Sequence, residues 1–165
     1  MILMTVLSYL PILLALAGST PPKTMKPATT LKTLTACVAA TQADVEEALG
    51  RTLARGKEQT DAVQSSCDYA AGDGQVTVTI RKSGVKLDIP AQIADLKAAM
   101  PEGRIRELPG VGRQAFFMDL AGAGTQLHVI RGDGDYVLVS VLGLGEPEDV
   151  AKMAEKIARK VLDRF

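Results

Sequence analysis

From Cys67 to Leu142 the apolar residues recur with a period of two, in runs broken by glycine-rich turns. That pattern restricts the chain to hairpin-built antiparallel sheet, because only strands return every second side chain to one face. Cys67-Asp68-Tyr69-Ala70 and 75–81 flank Gly72-Asp73-Gly74, with Val76, Val78 and Ile80 expected to face the core and Gln75, Thr77 and Thr79 to face away. Residues 114–120, 125–131 and 135–142 supply three more strands, separated by Ala121-Gly122-Ala123-Gly124 and Gly132-Asp133-Gly134.

Three helices frame these strands. Thr41 is a natural N-cap, with Asp44 at the third position, Val45, Ala48 and Leu49 on one face and Gly50 as a stop. Asp88 caps a second helix that runs to Met100, with Ile93, Leu96 and Met100 inward and Pro101 ending it. The last helix has Glu146, Glu148 and Asp149 at the positive end of its dipole and Lys160 and Arg164 at the negative end. Its stripe is Val150, Met153, Ala154, Ile157, Val161 and Leu162. Residues 51–64 show no clear period. The expected fold is α+β, an antiparallel sheet of about five strands with three helices, at least two of them packed on one face. The order strand, Gly-Asp-Gly, strand, helix occurs twice; because hairpin turns favour Gly and Asp anyway, chance explains the echo better than duplication.

The chain's address is written at its start. Ile2 to Ala17 is an uncharged apolar run that ends in Ala15-Leu16-Ala17 ahead of Gly18-Ser19-Thr20-Pro21-Pro22. This reads as a cleavable signal peptide over 1–17, although no Lys or Arg precedes the run. A membrane anchor fits less well, since a span needs about 20 apolar residues and Pro11 interrupts this one. A Pro-, Thr- and Lys-rich tether follows at 18–30, and a single domain occupies 31–165. Export agrees with cysteine usage: Cys37 and Cys67 allow one intramolecular disulfide, which in an oxidising compartment would contribute about 3–4 kcal/mol. A metal pair or a reactive thiol finds no support from a CxxC spacing or a nearby histidine.

Charge and aromatic content narrow the partners. Nineteen Lys and Arg balance nineteen Asp and Glu, so no net field draws the chain to nucleic acid or anionic lipid. Tryptophan is absent, with three Phe and three Tyr, which removes most stacking platforms.

Cys37-x3-Thr41-x2-Asp44-Val45-x3-Leu49-Gly50, then Cys67-Asp68-Tyr69, then Leu108-Pro109-Gly110-Val111-Gly112-x2-Ala115-Phe116 resembles a family of small exported bacterial lipoproteins, best populated in actinobacteria, whose function is unknown. The resemblance covers nearly all of the chain after the leader. It implies a disulfide between Cys37 and Cys67 with the opening helix after the first cysteine, and it implies no activity. One departure bears on location: Leu16-Ala17-Gly18-Ser19 has serine where lipid attachment needs a cysteine thiol. A periplasmic or secreted protein without a lipid anchor is therefore expected.

No motif nominates a cofactor, a metal site or a catalytic residue. His128 is the one histidine, placed mid-strand without a nucleophile or orienting group nominated nearby. Gly143-Leu144-Gly145 lacks the third glycine of a phosphate loop and stands before acidic residues that repel an anion. Asp133 and Asp135 lack the rest of a calcium ladder, and Arg131-Gly132-Asp133 overlaps a turn that requires glycine. The more informative feature is the sheet face turned away from Val137, Val139 and Val141. There Tyr136, Leu138 and Leu142 join His128, Ile130 and Phe117, while the first hairpin shows Thr and Gln. Either 51–64 or the opening helix covers this half-apolar face as ordinary core, or Phe117, His128, Ile130, Tyr136 and Leu138 form a surface for a small apolar ligand or a protein partner. The expected function is a non-enzymatic exported binding or interaction module; the alternative is an envelope hydrolase assembled from scattered residues.

Overall fold

The five strands expected from the alternation, and the turns between them, fall where the sequence puts them, and two short strands are added. The computed structural model describes residues 34–81, 89–99, 104–132 and 134–165. The leader at 1–17, the tether at 18–30 with Ser19, the Asp88 cap, Met100, Pro101 and Asp133 lie outside the described residues. Among those described, one antiparallel sheet contains β1 (Lys57–Thr60), β2 (Gln64–Ala71), β3 (Gly74–Arg81), β4 (Arg104–Glu107), β5 (Gln114–Asp119), β6 (Gly124–Gly132) and β7 (Asp135–Leu142). Their order across the sheet is β1-β2-β3-β7-β6-β5-β4. The helices are α1 (Ala36–Ala39), α2 (Gln42–Leu49), α3 (Ile89–Ala99) and α4 (Pro147–Leu162).

The class is α+β with an antiparallel sheet, but the strands number seven rather than five and the helices four rather than three. The additions have a common cause. β1 and β4 are four-residue edge strands, and every side chain of β1 is exposed, so neither carries an apolar period. Charged residues at a sheet edge discourage pairing with other chains. The extra helix, α1, is a single turn around Cys37.

The inner face holds the main core. Val76, Val78 and Ile80 of β3, Leu127 and Val129 of β6, and Val137, Val139 and Val141 of β7 form one core there with Val150, Ala154, Ile157 and Val161 of α4. The α4 helix packs on β6 and β7, α1 on β2 and β3, and α2 leans on α4. Three helices therefore share this face. The disulfide Cys37–Cys67 ties α1 to β2 with Cα atoms 5.0 Å apart. Tyr69, next to it on the same face, donates its hydroxyl to the Ala40 carbonyl. Gly56 leaves room for both, because a Cβ there would stand 2.5 Å from the Tyr69 ring and 2.7 Å from the Cys67 sulfur.

The opening of α2 matches its sequence. Thr41 and Asp44 form a reciprocal capping box, and Gly50 closes the helix at φ 68°. Arg164 lies beyond the end of α4 rather than in its last turn, where Arg159 and Lys160 sit. Its guanidinium grips Asp44 with both terminal nitrogens and also reaches the Ala39 carbonyl. Chiefly through Arg164, the Asp44 carboxyl is held down to about 2.

The fourth helix behaves differently. From the middle of the sheet at β3 the chain passes through α3 to β4 at the far edge, and α3 lies on the outer face. The two strand-turn-strand-helix units thus send their helices to opposite faces.

Candidate binding face

The pairing registers lay out the outer face row by row. Its β1–β3 half is polar and, around Asp68 and Ser66, hydrogen-bonded within itself. The Asp68 carboxylate accepts from Thr77 at 2.6 Å, Gln59 at 3.1 Å and Gln75 at 3.3 Å, and Ser66 bonds Thr79 at 3.0 Å. Crossing from β3 to β7 changes the chemistry. Arg81, Tyr136 and Ile130 stand side by side in one row, and Thr79, Leu138, His128 and Phe116 in the next.

Two details of the expected patch need correction. Phe117 belongs to the inner core, opposite Leu127, with the Arg106 guanidinium 5.4 Å above its ring; the outer-face aromatic is its neighbour Phe116. Strand β5 is apolar in both phases from Ala115 to Met118, so alternation there does not distinguish the faces. Ile130 pairs directly with Tyr136, which makes Leu138 its diagonal neighbour. His128, Ile130, Tyr136 and Leu138 do share the outer face.

The cover is neither the 51–64 segment nor the opening helix but α3. Ile93 and Leu96 pack on Phe116 and Ile130, with Ile105 and Tyr136 at the margins. The rest of α3 is largely exposed, and Leu138 remains partly open.

His128 sits at the centre of this half, 5% exposed. Its ring stacks on Phe116 with centroids 4.5 Å apart, and Nδ1 lies 2.6 Å from the Tyr136 hydroxyl. Burial pushes the imidazole down to about 4, so the ring is neutral at neutral pH. Burial likewise raises the Tyr136 phenol to about 12. In the tautomer in which the phenol donates to Nδ1, the ring proton sits on Nε2. That Nε2 is buried without a partner among the described residues, as are Arg81 Nε and Gln92 Oε1 of α3. The Arg81 guanidinium lies 5.4 Å over the Tyr136 ring. Each buried polar group left unpaired costs about 1–3 kcal/mol.

Beside α3 a cavity of about 320 Å³ opens between Ile93, Glu107, Leu108, Val111, Gln114 and Phe116. Its rim is the Leu108-Pro109-Gly110-Val111-Gly112 loop joining β4 to β5. Gly112 adopts φ 58° against the Ile130 carbonyl, where a Cβ would approach to 2.6 Å, so the close passage requires glycine.

Arg81, Gln92 and Phe116 were not among the expected site residues. Arg81 alone carries a signal, being in phase with Thr77 and Thr79 on a strand whose inward residues are valine and isoleucine. Elsewhere, Gly143-Leu144-Gly145 forms the β7–α4 turn around buried Leu144, and Asp135 pairs with Arg131 at 3.9 Å. Among the described residues no three His, Cys, Asp or Glu side chains gather as a metal site, and no helix is long and apolar enough to cross a membrane. Comparison with protein-family models, with curated proteins and with solved structures found no match.

Proposed function

We propose that the domain is a non-enzymatic, exported binding module whose ligand or partner face is the apolar half of the outer sheet face, around His128, Ile130, Tyr136 and Leu138 with Phe116. The observation that carries this reading is the contrast in cover. Three helices close the inner face, whereas the outer patch is roofed by Ile93 and Leu96 of one helix, with a 320 Å³ cavity at its margin. That volume lies within the range of about 300–1,000 Å³ typical of small-molecule sites. The disulfide is compatible with an oxidising compartment and supports export. With the leader and with Ser19 in place of a lipid-bearing cysteine, the chain reads as an unlipidated relative of the small actinobacterial lipoproteins. A hydrolase centred on His128 would need an orienting carboxylate or a nucleophile at Nδ1, where the Tyr136 hydroxyl stands.

Nile red, a neutral apolar dye, tests the face without invoking charge. Leu138→Asp should abolish its fluorescence enhancement while the domain still folds, because Leu138 is partly exposed. Unfolding of the variant would instead mark the face as ordinary core.

A further inference from the structure

The binding-face reading leaves open what chemistry the face selects, and the unpartnered polar atoms beneath α3 narrow it. Arg81 is a permanent cation that forms no ion pair among the described residues, and its Nε–H is buried without an acceptor. Among the acids that register places around these rows, Asp61 caps the Val63 and Gln64 amides, Asp135 faces Arg131 at 3.9 Å, Asp68 accepts from Gln59, Gln75 and Thr77, and Glu107 is exposed at the sheet edge. One strand from Tyr136, His128 Nε2 is a second buried nitrogen without a partner, and it carries the ring proton when Tyr136 donates to Nδ1. Two adjacent rows therefore offer donors with no internal acceptor, one of them cationic. Buried polar atoms ordinarily find partners, so the two unanswered nitrogens indicate an acceptor that an occupant supplies; the orphan on α3, Gln92 Oε1, is itself an acceptor and is not answered by that group.

The remainder of the surface describes the body of that occupant. Phe116, Ile130, Ile93 and Leu96 are apolar and lead from the donors toward the cavity beside β5. From β3, which bears Arg81, to β5, which bears Phe116, there are three strand steps of about 4.8 Å each, roughly 14 Å in all. We infer that the seam between α3 and the outer sheet face takes an apolar monocarboxylic acid, its carboxylate received by the Arg81 guanidinium and His128 Nε2–H and its hydrocarbon body laid along Phe116, Ile130 and Ile93. This inference rests on the binding-face reading and adds its ligand class. A neutral His128 suits the role: with Nδ1 committed to Tyr136, it presents one fixed donor rather than a titrating charge.

His128 is the chain's one histidine, so a tag-free full chain gives a single imidazole pair in long-range proton–nitrogen NMR spectra. Decanoate, whose extended length is comparable to the seam, should shift the Nε2 resonance saturably. Benzoate in a parallel arm separates ring-bodied from chain-bodied acids. Arg81→Gln should weaken decanoate at least tenfold with an unchanged melting profile, and decan-1-ol should bind wild type at least tenfold more weakly than decanoate. Should Arg81→Gln fail to fold, His128→Phe, which preserves the stack on Phe116, should show the same loss. Equal affinity for decanoate and decan-1-ol, equal affinity in wild type and Arg81→Gln, or an unmoved His128 resonance under saturating decanoate and benzoate would each overturn the carboxylate assignment. Retained, Leu138-dependent Nile red binding in those cases leaves the apolar face standing while this inference falls; loss of both removes the face itself.

Discussion

On the inner face of the sheet, Val76, Val137, Val139 and Val141 are wholly buried beneath the helices, and the polar groups among them are mostly answered. Ser65 accepts from the Ala36 amide at 2.9 Å and Tyr69 donates to Ala40, leaving Asp119 Oδ1 as the exception. On the outer face the same strands present Arg81, Tyr136, His128 and Phe116 under a helix held by two partly buried side chains, with Arg81 Nε, Gln92 Oε1 and His128 Nε2 unanswered. The difference shows where the fold invests its stability. A face that pairs its polar atoms and seals its apolar ones gains nothing from a ligand, whereas one that leaves polar atoms dry under a light cover gains from a molecule that completes them.

The comparison breaks first at the helices. Ile157→Ala in α4 should cost about 2–5 kcal/mol, as expected for a wholly buried isoleucine, while Leu96→Ala in α3 should cost under about 1 kcal/mol. Urea melts of the two variants check this, and equal losses would erase the distinction between the faces. The next largest effect is acid sensitivity at the outer face. His128 has its folded value lowered from 6.5 to about 4, so the unfolded chain binds the extra proton first. Stability is complete above about pH 6.5 and falls by roughly 3 kcal/mol as pH drops toward 4. His128→Gln should flatten the melting-temperature profile across that window. A smaller effect belongs to the inner side. Asp44 has its folded value lowered from 3.8 to about 2, so its contribution is present above about pH 4 and disappears as pH falls through 2. In Asp44→Asn about 2 kcal/mol is lost at neutral pH, and the variant should converge with wild type near pH 2. Acid titrations that place the His128 and Asp44 windows in the reverse order would contradict the assignment of each group to its environment.

Much of the inner layer was legible in the sequence because burial there imposes one clear period. Val76, Val78 and Ile80, the α4 stripe and the Thr41–Asp44 cap each follow from local pattern, and the Cys37–Cys67 pair from there being two cysteines in the chain. The outer layer was legible only in part. His128, Ile130, Tyr136 and Leu138 emerge from alternation on β6 and β7, but Phe116 and Phe117 lie in a run with no polar phase to orient it. The face that α3 covers depends on the chain crossing from the sheet's middle to its far edge, and the edge strand at that destination, β4, is too short and too charged to be seen. The His128–Tyr136 bond is a diagonal contact across the β6–β7 hairpin. It could be drawn only once the register after the irregularity between Ile130 and Gly132 was known.

Native-state amide hydrogen exchange, followed residue by residue, addresses the contrast between the two covers most directly. A cover held by Ile93 and Leu96 should open well below the global unfolding free energy, so α3 amides are expected to exchange at least a hundredfold faster than those of α4 and of β6 and β7. Protection in α3 equal to that in α4 would show that both faces belong to one cooperative core, and would remove the outer face as a site prepared for an occupant.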